Sequence, residues 1–171
     1  MICCALGQDS HRFEEEKDKP LVLGGVLIEE ERGLKANSDG DVLLHALTNA
    51  VSGVTGRNIL GPVADALCRA GETDSRTYLR EALNDLERLG GRILHVSFSV
   101  EAKQPRLFEH IHAIKESVAA LLGLAPAHVG LTATSGEGLT GLGRGEGMQV
   151  LCLITAELKD AAGDKKGEGE A

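Results

Sequence analysis

One helical segment constrains this chain more than any other feature. After Ser38-Asp-Gly-Asp41, the apolar residues Val42, Leu43, Leu47, Ala50, Val51 and Val54 recur with a helical period. Such a stripe must be buried against a second layer, which forces a helix-containing core. Ser38 or Asp39 is the expected cap, and acidic residues suit the first turn. Beside the stripe runs a polar line of Asp41, His45 and Asn49. A histidine on that line is better explained as a ligand than as solvent decoration.

The remaining segments supply the other layer. Ile2–Leu6 reads as a short apolar strand. Gly24-Gly25 between Leu21–Leu23 and Val26–Ile28 signals a hairpin. Residues 56–72 read as irregular. Asp74 opens a second helix with Leu79, Ala82, Leu83, Leu86 and Leu89 apolar, stopped by Gly90-Gly91. Leu94, Val96, Phe98 and Val100 alternate with polar residues, as in a half-buried strand. Pro105 is placed to start a third helix, running to about Gly123 with Leu107, Phe108, Ile111, Val118 and Leu122 inward. Val129–Thr134 and Met148–Leu158 are the last strands, joined by a glycine-rich loop. Strands and helices mix without strict βαβ alternation, so the fold class is α+β. The expected architecture is a single domain over residues 1–160, a mixed sheet with helices on one face. Residues 161–171, almost without apolar side chains, are expected to be a disordered tail.

Composition narrows the function. A net charge of −8 and 2% aromatic residues argue against a nucleic-acid binder. A local basic pocket for phosphate remains compatible with that balance. No apolar run reaches the length of a membrane span. Met1–Leu6 already reads as the first strand, so no targeting peptide is expected and the cytoplasm is the expected location. Cys3, Cys4, Cys68 and Cys152 show no C-x-x-C spacing and read as small buried hydrophobes of a reducing compartment.

Two constellations carry chemistry. Asp9 and His11 follow the first strand, and in extended backbone residues i and i+2 share a face. With His45 they make two imidazoles and one carboxylate, a zinc-like set that leaves a position open. The plainer alternatives are a surface turn for Asp9-x-His11 and a satisfied polar group for His45. His95, His110, His112 and His128 read as structural or solvated. The second constellation is the run from Thr132 to Gly147. Its glycines let backbone N–H groups approach anionic oxygens. Thr134 and Ser135 add hydroxyls, Glu137 suits a hard cation such as magnesium, and Arg144 is a candidate fork for phosphate. The plainer alternative is a flexible connection between strands.

Taken in order, Gly7-Gln-Asp-Ser-His-Arg-Phe13, Leu23-Gly-Gly-Val-Leu-Ile28, Ser38-Asp-Gly-Asp-Val-Leu-Leu-His-Ala-Leu47, Asp74-Ser-Arg76 and Gly143-Arg-Gly-Glu-Gly147 resemble the 2-C-methyl-D-erythritol 2,4-cyclodiphosphate synthase family of the non-mevalonate isoprenoid pathway. The resemblance runs from about Leu6 to Glu157. It implies a homotrimer with a site at each subunit interface. It implies zinc on Asp9, His11 and His45, and a second divalent ion, magnesium or manganese, on Glu137. The implied substrate is a CDP-linked methylerythritol 2-phosphate, cyclised with loss of CMP. Ser135 matches a residue that orients the diphosphate. Asp41 and Ser38 belong to the Ser-Asp-Gly-Asp motif, Asp41 being assigned with Ser135 and Glu137 to the catalytic set and Ser38 with Thr134 to substrate. Ala102, Pro105, Arg106, Leu107 and Phe108 match a cytosine pocket, and Arg144 matches an arginine near the three-fold axis.

The sequence departs from that pattern at Asn37, where the family has His, and at Asn49, where it has Asp. Ile59 stands where the family's ribose-binding Asp is expected, Pro62–Ala66 replaces a further motif, and Gly141 replaces a Phe. Asn58 or Asp65 is the alternative ribose contact. Two other readings stay open, a phosphoryl-transfer enzyme for another diphosphate and a non-catalytic ligand-binding homologue.

Overall fold

The computed structural model describes residues 1–159. Its elements are β1 (Ile2–Arg12), β2 (Pro20–Leu23), β3 (Val26–Arg32), α1 (Val42–Thr55), α2 (Pro62–Arg69), α3 (Ser75–Arg88), β4 (Gly91–Glu101), α4 (Ile111–Leu122), β5 (Val129–Thr134) and β6 (Gly147–Leu158). The expected tail at 161–171 lies outside the described residues.

Alternation along β6 sets the layering. Met148, Val150, Cys152, Ile154 and Ala156 are buried, while Leu151 and Leu153 point to the other face and stay exposed. The strand sits inside a sheet of order β1-β6-β4-β5, antiparallel to both neighbours, with β4 and β5 parallel. The sheet is therefore mixed, as expected. Helices α1, α3 and α4 pack against β1 and β6, β4, and β5 respectively. In α1, Val42, Leu43, Leu44, Ala46, Leu47, Ala50 and Val51 are all buried. Each large one contributes about 1.5–3 kcal/mol of burial. The β2–β3 hairpin forms a separate two-stranded sheet. Its Gly24-Gly25 turn has both residues at positive φ (61° and 78°), which is why glycine serves there. On the uncovered sheet face, Ile2, Leu6, Leu151 and Leu153 are exposed.

Several sequence expectations are corrected. The first strand runs to Arg12, well past Leu6, because β6 pairs with it along its whole length. The cap of α1 is Asp41, whose carboxylate accepts from the Leu44 N–H; neither Ser38 nor Asp39 serves. The 56–72 segment contains α2, with Pro62 in its first turn, Asp65 near its N-terminus and Arg69 in its last turn. In β4 the register shifts between Ile93 and His95, so Ile93 is buried where alternation had placed Leu94. Pro105 does not start an α-helix. A 3₁₀ turn at Leu107–Glu109 precedes α4, and its different phase leaves Phe108 87% exposed. Of the cysteines, Cys152 is buried but Cys4 is exposed.

Candidate active site

Strand β1 and helix α1 bring Asp9, His11 and His45 to one point. Asp9 Oδ2 lies 2.8 Å from His11 Nε2 and 2.9 Å from His45 Nδ1, and the two ring nitrogens are 3.3 Å apart. Ligands of a tetrahedral zinc with bonds of about 2.1 Å sit roughly 3.4 Å from one another. The donor set thus fits such an ion in composition, with slightly compact spacing. These three residues form a possible metal cluster among the described residues. Burial pushes the Asp9 carboxyl up, but hydrogen bonds with His11 and His45 outweigh it and hold its pKa at about 2. The hydrogen bond with Asp9 raises the His11 pKa against the opposing effect of burial. An anionic carboxylate facing two imidazoles is a cation site by its electrostatics.

His11 and His45 line a cavity of about 270 Å³ together with Ser38, Asp65, Cys68 and Tyr78. Ser38 Oγ is 3.3 Å from His45 Nε2. Asn37 is exposed at the same cavity. Cys68 Sγ lies 2.8 Å from the Tyr78 hydroxyl, which donates to the Glu72 carbonyl at 2.8 Å. Burial raises the Tyr78 pKa further above the ordinary phenol range.

Other assigned residues lie elsewhere. Ala102, Pro105, Arg106, Leu107, Phe108, Thr134 and Ser135, joined by Lys103, line a second cavity of about 270 Å³ at the C-terminal ends of β4 and β5. Ser135 Oγ donates to Glu137 Oε1 at 3.1 Å. Glu137 is exposed and holds φ at 49°, the one positive-φ non-glycine residue described. Thr140 donates to Glu101 and anchors the loop to β4. Arg144 is exposed and pairs with Glu146 at 3.4 Å, which Arg12 also approaches at 3.2 Å. Gly141 lines a third cavity of about 380 Å³ with Ser10, His11, Arg12 and Glu146. Within one chain, the triad cavity and the Thr134–Ser135 cavity share no lining residue.

Asp41 is fully buried, and its carboxylate accepts from Gly24 N (2.9 Å), Gly25 N (2.6 Å) and Leu44 N (3.0 Å). Burial raises its pKa to about 6 in spite of those bonds. Three backbone N–H groups hold the carboxylate, so Asp41 fastens the hairpin to α1. Ile59 is fully buried in the core. Asp65, on α2, faces the triad cavity instead. Asn49 does not stand beside the His45 ring. Its amide donates to the Gln8 carbonyl at 2.9 Å. Sequence reasoning gave Ser75 no role and Asp39 only that of a helix cap; Ser75 adjoins the far side of that ring, with Asp39 behind it. The Asp74-Ser-Arg76 run was the only signal for Ser75.

Residues 2–157 match the YgbB family. The chain is 46% identical over 152 residues to the 2-C-methyl-D-erythritol 2,4-cyclodiphosphate synthase of Chlamydia muridarum, covering 88% of this chain and 85% of that protein. Its structure is similar to the bifunctional IspDF from Campylobacter jejuni, with a TM-score of 0.84, 33% identity, and coverage of 92% of this chain and 42% of that one. It is also similar to a 2C-methyl-D-erythritol-2,4-cyclodiphosphate synthase solved in a CDP-bound form, with a TM-score of 0.79, 32% identity, and coverage of 91% and 100%. Among the described residues no helix is long and apolar enough to cross a membrane. A sheet and helices of this order, a metal-ready triad on β1 and α1, and similarity along nearly the whole described chain converge on one assignment: this protein belongs to the YgbB family.

Proposed function

We propose that this chain converts 4-diphosphocytidyl-2-C-methyl-D-erythritol 2-phosphate to 2-C-methyl-D-erythritol 2,4-cyclodiphosphate and CMP. The observation that carries the reading is the convergence of Asp9, His11 and His45, the two histidines lining a cavity, in a chain of this family. An oxygen of the 2-phosphate attacks the β-phosphorus. A new P–O bond closes the ring, the bond from that phosphorus to the bridging oxygen breaks, and CMP leaves with the bridging oxygen. No protein nucleophile is needed, so the residues act by positioning and by stabilising charge.

The proposed ion at the triad is zinc or another divalent transition metal, and the second ion, magnesium or manganese, is assigned to Glu137. Such ions screen phosphate repulsion and polarise phosphoryl oxygens. The hydroxyls of Thr134, Ser135 and Ser38 donate to phosphate oxygens. The cavity of Ala102, Pro105, Arg106, Leu107 and Phe108 takes the cytosine. Asp65 accepts from the ribose hydroxyls, the task for which Ile59 is unavailable. Arg144 supplies positive charge beside the glycine-rich loop.

The complete site is assigned to the boundary between copies in a homotrimer. Two observations support that arrangement. Each of the two cavities, at about 270 Å³, falls below the roughly 300–1,000 Å³ usual for a small-molecule site, and they are separate in one chain. The sheet face bearing Ile2, Leu6, Leu151 and Leu153 is left uncovered. The test is a turnover assay with purified protein, zinc and magnesium, following CMP. Stoichiometric CMP and cyclic diphosphate are expected. A folded, zinc-loaded protein that releases no CMP would overturn the proposal in favour of another diphosphate or a binding role.

A further inference from the structure

We infer that Ser75 and Asp39 act as positioning residues that fix which nitrogen of His45 is offered to the metal centre. The inference rests on the assignment of His45 to that centre and adds two residues on the side of the ring away from it. Ser75 is fully buried at the start of α3, and its Oγ lies 2.8 Å from His45 Nε2. The same hydroxyl makes a short hydrogen bond to Asp39 Oδ1. Asp39 is held in turn: its Oδ2 accepts from Ser75 N at 3.0 Å and its Oδ1 from Asp41 N at 3.1 Å.

The direction of each bond follows from which partner can donate. An ionised carboxylate only accepts, so the Ser75 hydroxyl proton lies on the line to Asp39. The Ser75 oxygen then has only lone pairs to present to His45, so Nε2 donates to it at 2.8 Å, and Ser38 Oγ, 3.3 Å away, is the longer second partner of that nitrogen. Nδ1 is turned toward Asp9 Oδ2 at 2.9 Å, the side on which the ion would sit. The relay thus aims His45 Nδ1 at an ion before one arrives. Outer hydrogen-bond partners of metal-bound histidines do this commonly, usually as a carboxylate in direct contact. Here the carboxylate works through a hydroxyl. This accounts for Asn49, since the polar partner of the ring comes from α3 and not from the next turn of α1.

The test begins with long-range ¹H–¹⁵N spectra of the full-length protein, metal-free and zinc-loaded. Protonated Nε2 on His45 is expected in both. An unprotonated Nε2 would overturn the relay, and the metal-free spectrum reads it even if zinc never binds. Failure of the metal assignment is thereby separate from failure of this one. Ser75→Ala keeps the Asp74 cap of α3 and should weaken zinc binding about 10–100-fold in a chelator competition. Ser75→Thr, which keeps the hydroxyl, should recover most of it. Unchanged affinity in Ser75→Ala would reduce Ser75 to packing. If that variant fails to fold, the wild-type spectra alone decide.

Discussion

Gly7 lies against Ala50 so closely that a Cβ on the glycine would come 2.9 Å from the Ala50 Cα and overlap the helix backbone at Ala46 and Ala50. The contact seats α1 directly on β1, one turn of helix from His45 and two residues from Asp9. Gly7→Ala should lift the helix from the strand, lowering stability by about 1–3 kcal/mol. Metal affinity should fall with it, although no ligand is altered. Denaturant unfolding and zinc competition on the same variant check both effects, and a variant that loses neither would show that α1 can slide without harm.

His45→Ala removes one of the three proposed metal ligands from a position whose helix is otherwise held by buried apolar residues. The chain should stay folded and zinc affinity should drop more than about 100-fold, beyond the loss expected for an outer partner. Metal analysis of the purified variant is the check. Full zinc occupancy would mean that the ion sits elsewhere.

Ile59 and Asp65 separate a packing role from a ligand role. Ile59→Asp places an unpaired carboxylate in the core and should cost about 3–5 kcal/mol, with no gain in nucleotide binding. Asp65→Asn should leave stability within about 0.5 kcal/mol, since Asp65 is exposed on α2. Its CMP affinity should fall roughly tenfold, the worth of a charge-assisted hydrogen bond. Calorimetric titration with CMP and urea melts distinguish the two.

Acid should act on the metal-free protein through groups of opposite sign. The Asp9 pKa is depressed from 3.8 to about 2, so its contribution is present above pH 3.8 and is lost as pH falls toward 2. The Asp41 pKa is raised by burial to about 6, so its contribution grows as pH falls from about 6 to 3.8. His11, also raised, contributes fully below 6.5 and loses that contribution as pH climbs through its folded value. Melting temperature should therefore rise on mild acidification and fall below about pH 4. In Asp9→Asn the low-pH fall should be shallower. An unchanged fall would place the acid-sensitive group elsewhere.

Asp41→Ala removes the cap of α1 and strands the N–H groups of Gly24 and Gly25. A loss of about 2–4 kcal/mol is expected, more than a cap alone, because the hairpin anchor goes too. Hydrogen exchange at Gly24 and Gly25 should accelerate well before that of β6. Uniform acceleration would instead indicate global destabilisation.

What the sequence made legible was short-range. The Asp9-x-His11 spacing, the α1 stripe and the strand alternation each depend on a local period, and the fold class followed from them. Ser75 and Asp39 were not legible because their significance lies in a contact 36 residues apart in sequence. Phe108 was misplaced because a 3₁₀ turn breaks the α period just where a proline suggested a helix. Leu94 was misplaced because one register shift exchanges the two faces of β4. Helix α2 was overlooked because it is only 8 residues long and buries Ala64 alone.

The triad draws its ligands from two places in the chain, β1 and α1, and His11 and His45 are 34 residues apart. Between them lies the whole β2–β3 hairpin. An ion at this point would close that stretch into a loop, much as a disulfide would, but with a clasp that opens when the ion is withdrawn. Chelation should then loosen the hairpin before it touches the four-stranded sheet, so the metal would govern local order as well as chemistry.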